Sequence, residues 1–297
     1  MYAPIALFCY NRPDHLRKTV ESLLGCPEAA FSTLYVYSDG PKTEADEPLV
    51  AAVRDYVRSI RGFDQVRYDF CDTNRGLGAS VIRGVTQVLK HHDRIVVMED
   101  DLLCTRDYLR FMNEALEFYR QDVRVFSVSG YLYPIDIPTD YPHDVLLLAR
   151  GCSYGWGTWP DRWAKADWKV SDFREFSKNP AAIREFNRGG EDLFPMLKKQ
   201  QAGVLNSWAI RWSYAHYKNQ AYNLHPIASK LESTGMDGSG TNFGRGTHRW
   251  DVSRIERPTF LTRAVTPDEG IHQRLREHFR LSWIRKIINF VRFGVRP

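Results

Sequence analysis

The chain has 297 residues, 43% of them hydrophobic, and a formal charge of +5, so it can bury a substantial core as one large domain or two small ones. The positive charge gathers at the end, where residues 278–297 hold Arg280, Arg285, Lys286, Arg292 and Arg296 and no acid; the near-neutral remainder excludes nucleic acid as the general partner. Cys9, Cys26, Cys71, Cys104 and Cys152 show neither paired nor zinc-type spacing, which excludes a disulfide framework and suits a reducing compartment.

Over the first 130 residues, short apolar runs alternate with longer amphipathic ones, the pattern of strands and helices taking turns. IALFC (5–9) reads as a buried strand. The helix after it begins at Pro13, places Leu16, Val20, Leu23 and Leu24 on one face, and stops at Gly25. TLYVYSDG (33–40) is a second strand ending in a polar turn, followed by a helix with Leu49, Val53, Tyr56, Val57 and Ile60 along one side. VRYDF (66–70), the helix GASVIRGVTQVLK (78–90) and the strand RIVVM (94–98) continue the series. This alternation predicts an α/β fold, a Rossmann-like, mainly parallel central sheet flanked by helices. Beyond residue 130 the chain is loop-rich and aromatic, with six of its eight tryptophans between Trp156 and Trp212. No Pro/Ser-rich linker separates the halves, so residues 131–260 are expected to build the second wall of the domain begun by 1–130.

Ligands of such sheets gather at the carboxyl ends of the strands, and the polar residues sit there: Asn11 and Arg12, Ser38 and Asp39, then Asp72, Asn74 and Arg75. The fourth strand runs into Glu99, Asp100 and Asp101. Three adjacent carboxylates beside a core repel one another unless something positive compensates them. A hard divalent cation such as Mg²⁺ or Mn²⁺, sharing oxygen ligands with substrate phosphates, would do so. A solvated acidic turn ahead of the next helix, TRDYLRFMNEALEFYR, would also accept these charges.

PIALFCYNRPDHLRKTVESLL, LYVYSDGP, NRGLGAS and IVVMEDDL, in this order, resemble the nucleotide-sugar-binding half of a GT-A-fold glycosyltransferase of the bacterial family 2 type, and more closely N-acetylglucosaminyltransferase I. The resemblance covers residues 4–130 and continues more loosely to about 245, with EDD as the form of the DXD motif. It implies Asp101 as the metal ligand, with Asp100 and Glu99 facing the donor sugar and ribose. It also implies Arg12 near the uracil, and Asp39 as acceptor of the uracil N3–H; SDG by itself is equally a β-turn. Asn74 and Arg75 would lie against the diphosphate, although NRGLGAS lacks the dinucleotide fingerprint and also reads as a plain helix start. GCSYGWGTWPDRW (151–163) resembles a loop flanking the donor sugar and acceptor, with Trp156 as the ring that stacks on a saccharide and most other tryptophans in the core.

Inverting relatives place an acid before a tryptophan to deprotonate the acceptor. Here NSWAIRW offers Asn206 and Ser207, neither of which is a base at neutral pH. Asp161, Glu191, Asp192 and Asp237 are the alternatives, the last within GMDGSGTNFG, a glycine-rich candidate lid; His248 is a further candidate metal ligand. In residues 278–297 one helical face carries Ile284, Ile287, Ile288 and Val291 and the other carries Arg285, Lys286, Asn289 and Arg292. This amphipathic tail suits an anionic membrane surface, or a terminal helix docked on its own domain.

The sequence therefore predicts a metal-dependent transferase moving a sugar from a UDP-sugar to a glycan or lipid-linked hydroxyl. A glycan-binding protein that has lost the chemistry and a sugar-1-phosphate nucleotidyltransferase are the rivals. The second would need a glycine-rich basic loop after the first strand, and YNRPDH is not one. MYAPIALFCYNRPDH lacks the marks of a signal peptide, and no segment has membrane-spanning length, so the body is expected in the cytoplasm, peripheral at the inner face of the membrane.

Overall fold

The computed structural model describes residues 2–238 and 250–295. Its first half follows the predicted alternation: β1 (Ile5–Cys9), α1 (Pro13–Leu24), β2 (Thr33–Ser38), α2 (Glu47–Ser59), β3 (Gln65–Phe70), α3 (Leu77–Leu89), β4 (Ile95–Glu99), β5 (Leu102–Cys104) and α4 (Tyr108–Phe118). Strands β6 (Val125–Ser129), β7 (Val145–Leu148) and β8 (Trp156–Thr158) come next. After them run the helices α5 (Pro160–Trp163), α6 (Phe173–Phe176), α7 (Pro180–Phe186), α8 (Leu193–Gln201) and α9 (Trp208–Lys218). The chain closes with β9 (Tyr222–Pro226), β10 (Leu231–Ser233), α10 (Glu269–His278) and α11 (Trp283–Phe293).

Among the described residues one sheet has eight strands in the order β3-β2-β1-β4-β8-β6-β9-β7. The pairs β3–β2, β2–β1 and β1–β4 are parallel, as the β-α crossovers require. β8 then lies antiparallel between β4 and β6, so the aromatic second half extends the same sheet. β5 and β10 form a separate antiparallel ribbon.

Alternate residues of β1 serve opposite faces. Ile5 and Leu7 join Leu16, Val53, Leu109 and Met112 under α1, α2 and α4, while Ala6 and Phe8 join Val81, Val85, Trp156 and Trp212 beneath α3 and α9. The helical stripes match their sequence periods except at their ends, where Leu24 and Leu49 are exposed and Val50 is buried instead.

Candidate active site at the carboxyl edge of the sheet

β2 ends at Ser38, and Asp39 beyond it is buried. Its Oδ1 accepts hydrogen bonds from the backbone N–H of Gly40 (3.0 Å) and Arg75 (2.9 Å), and its Oδ2 from Gly76 (2.8 Å). Asn74 Nδ2 donates to the Gly40 carbonyl at 2.9 Å, locking the SDG and NRG turns together. Any Cβ on Gly40 would stand 2.5 Å from the Thr73 backbone, so this close approach requires glycine. Gly76, at φ +77°, turns the chain into α3. The Arg75 side chain is exposed.

Arg12 immediately precedes α1. Its guanidinium Nη2 donates to Asp100 Oδ1 and lies 3.1 Å from Asp101 Oδ2, while its Nη1 is buried without a partner among the described residues. Thr19 Oγ1 in α1 donates to the Asp100 carbonyl at 2.8 Å. Burial, and to a smaller degree the Asp100 and Asp101 charges, push the Glu99 carboxyl up to about 8. Burial also lifts Asp100 to about 6, against the opposing pull of Arg12. The acidic triplet therefore holds fewer than three charges at neutral pH, and a chain-borne cation faces those that remain.

The ribbon closes over this edge. Thr234, next after β10, donates its N–H (2.8 Å) and Oγ1 (3.1 Å) to the Asp101 carbonyl. A Cβ on Gly235 would stand 2.1 Å from Asp101 Oδ2. Asp237 Oδ2 lies 3.2 Å from His15 Nε2 on α1, so residues 234–237 bridge from the triplet to the helix that Arg12 precedes. The rest of the glycine-rich stretch, and His248 with it, lies outside the described residues.

Beside Glu99 opens a cleft of about 380 Å³, whose lining includes Tyr154, Arg150, Asp192, Met196, Asn206, Trp208 and Ser213. Arg150 is buried and grips Asp192 with two hydrogen bonds of 2.8 and 2.9 Å, its guanidinium carbon 3.7 Å from the centre of the Phe279 ring. Ser207 caps α9 by accepting from the Ile210 N–H at 3.3 Å, which explains its place before Trp208 without any acid–base role.

The alternative bases are scattered. Asp192 lines the cleft, whereas Asp161 is exposed beside Arg162 and Glu191 pairs with Lys286 against a different cavity. Trp156 departs from the expectation placed on it. It is fully buried on β8 with ring centres 5.1 Å from Trp208 and 5.7 Å from Trp163, and so presents no face to a sugar. Trp208, its neighbour in that stack, is the ring of the pair that borders the cleft. Arg150 went unnoticed in the sequence, where its only signal is an arginine directly after VLLLA.

The model of the family described as Glycosyl transferase family 2 matches residues 5–169, more than half of the chain. The chain belongs to this family. Residues 5–169 are accordingly a glycosyltransferase domain. Among solved structures, residues 1–349 of TarS from S. aureus show 11% identity and a TM-score of 0.44, covering 80% of this chain and 61% of that one. A second structure of S. aureus TarS shows 10% identity and a TM-score of 0.41, covering 80% and 37%. The chain thus spans less than two thirds of either of these two structures. No curated protein matches it.

Enzymes of the family commonly use a divalent metal ion. Among the described residues no three His, Cys, Asp or Glu side chains converge as a complete metal cage. The donor set nonetheless fits an ion completed by substrate phosphates, since Asp100 and Asp101 both reach one cationic group and Asp101 retains some exposure.

Proposed function

We propose that the chain transfers a sugar from a UDP-sugar, UDP-GlcNAc or another hexose donor, to a hydroxyl of a cell-surface glycan or lipid-linked acceptor, with inversion. The observation that carries this reading is the Arg12–Asp100–Asp101 cluster at the carboxyl edge of the parallel strands, opening beside the cleft at Glu99. Asp101 would hold Mn²⁺ or Mg²⁺. Such an ion neutralises charge on the departing diphosphate.

The chain's own groups do the rest. The unpartnered Nη1 of Arg12 is a donor for the uracil or a phosphate oxygen. The Asp39 clasp fixes the turns carrying Asn74 and Arg75 beside the nucleotide. Glu99, whose carboxyl is raised by burial and by the Asp101 and Asp100 charges, lines the cleft within reach of a sugar hydroxyl. The acceptor oxygen forms its bond to the anomeric carbon as the bond to the UDP oxygen breaks, and the hydroxyl proton passes to a base. The tail, residues 278–297, serves in this reading as contact with an anionic membrane surface.

One observation favours a second reading, a fold that keeps the nucleotide but has lost transfer. Asp192, the carboxylate that lines the cleft with Glu99 among the described residues, is paired with Arg150. A thermal-shift panel of nucleotide-sugars with and without Mn²⁺, followed by turnover, separates the two. Asp101→Ala is expected to lower turnover at least about 100-fold with Tm little changed. Stabilisation by UDP without transfer or hydrolysis would establish the second reading, and no stabilisation by any nucleotide would defeat both.

A further inference from the structure

The last helix docks the wrong way round for a helix that merely completes a domain. An amphipathic helix on a protein surface ordinarily buries its apolar stripe and shows its polar face to water. In α11 the buried residue is Asn289, 2% exposed, while Trp283 is 72%, Ile284 72% and Val291 74% exposed. The helix is held through polar contacts along its length and, at its end, by Phe293 and Val295, which pack on the cluster of Phe194 and Leu197. Lys286 Nζ lies 3.1 Å from Glu191 Oε2, and Lys198 Nζ on α8 donates to the Gly294 carbonyl at 3.1 Å. Ile287, Phe290 and Val291 are left without cover.

Beneath the helix, bounded by α7 and α8, lies a cavity of about 670 Å³. Lys178, Arg184, Lys198 and Lys286 line it against a single carboxylate, Glu191, which Lys286 already engages. Asn289 also lines it, and its buried Oδ1 has no hydrogen-bond partner among the described residues; an amide can turn to offer either its oxygen or its nitrogen. The remaining wall is mostly apolar, with Ile183, Phe194 and Pro195 beside Ser177 and Asn187. A cationic, partly apolar hollow beneath a helix whose other face is apolar and outward matches one kind of partner in both charge and polarity.

We propose that this cavity receives the phosphate head group of an anionic phospholipid while the outward face of α11 lies in the acyl boundary of the same leaflet. The inference rests on the membrane contact assigned to residues 278–297 and names the pocket and side chains that make it. Its geometry bears on the active site through α8. Asp192, Leu193 and Met196, at and along the start of that helix, line the cleft, while Phe194, Pro195 and Lys198 line the cavity. One helix therefore separates the head-group site from the cleft, which would set a lipid-linked acceptor beside the site that transforms it.

Flotation of the full chain with vesicles of phosphatidylcholine, alone or with about 30% phosphatidylglycerol, tests the proposal. The anionic vesicles are expected to bind at least about tenfold more tightly than the neutral ones. Lys178→Ala with Arg184→Ala, at two exposed positions, is expected to remove about tenfold of that preference. Ile287→Ser with Val291→Ser should lower binding to both vesicle types. Unchanged anionic preference in the cavity variant overturns the head-group site, and unchanged binding by the face variant overturns the membrane contact beneath it. If inorganic phosphate stabilises the parent chain as much as the vesicles do, the cavity is a free-anion site and the proposal fails. If sedimentation without lipid shows self-association that Ile287→Ser with Val291→Ser abolishes, the face belongs to a second copy. Stabilisation by UDP, read on the same variants without lipid, reports the donor site independently of all these outcomes.

Discussion

Glu99 and Asp100 carry opposite lessons for their neighbours, because Arg12 neutralises one while burial keeps the other protonated. The consequence is measurable through linkage. Glu99 is raised from its ordinary 4.5 to about 8, so between those values the folded chain holds a proton that the unfolded chain has released. Its contribution to stability is complete below the lower value and is lost as pH rises through the upper one. Glu99→Gln removes that loss. The Tm difference between Glu99→Gln and the parent, both metal-free, is expected to be near zero at about pH 4 and to grow to several degrees in favour of the variant by about pH 9. A constant difference would mean that Glu99 ionises normally. Trp156 shows the limit of reading at this scale. Glycines and aromatics around a site are visible as letters, but which ring faces the cleft depends on the strand phase, and β8 turns Trp156 into the stack with Trp163, Trp208 and Trp212. Trp156→Ala is expected to cost roughly 3–5 kcal/mol of stability by opening a core cavity, with the KM for the donor unchanged where the protein remains folded.

Elements were most legible where one period ran long enough to speak. The helices α1, α2 and α3 and the four parallel strands have clean apolar spacing, and their order dictates which loops converge on the carboxyl edge. The ribbon of β5 and β10 was not legible, because each strand has three residues and its pairing joins segments more than a hundred positions apart. Yet that ribbon sets the reach of Asp101. Thr234 holds the Asp101 carbonyl from β10's end, and Gly235 leaves room for the carboxylate itself. Gly235→Ala is therefore expected to displace the Asp101 side chain and weaken Mn²⁺ affinity about tenfold or more, read by calorimetry, with little change in Tm. Unaltered metal affinity would show that the carboxylate does not depend on the clearance the ribbon gives it.

Across the molecule the two sequence regimes prove to be one sheet. β4 is flanked by β1 on one side and by β8 on the other, so residues 1–130 alone would leave β4 with an unpaired edge. That fragment is expected to aggregate or to melt without cooperativity, as read by circular dichroism on heating; a sharp transition at the parent's Tm would make the first half a domain of its own. Nothing local in the second half announces the shared sheet, since β8 has three residues and is antiparallel to both neighbours. The inverted docking of α11 was half visible. The amphipathic faces stand in the letters, but which face meets α8 depends on Glu191 and Lys198, residues far away in sequence.

Arg12 has a meaning beyond binding. In many small metalloproteins the ion is part of the fold, and a chelator unfolds them because bare ligands cannot share a core. Here the guanidinium of Arg12 lies between Asp100 and Asp101, and Thr19 secures the backbone behind them. The fold has its own counter-ion for this pair, so its integrity is expected to be independent of metal supply: treatment with a chelator should leave the Tm of the chain unchanged.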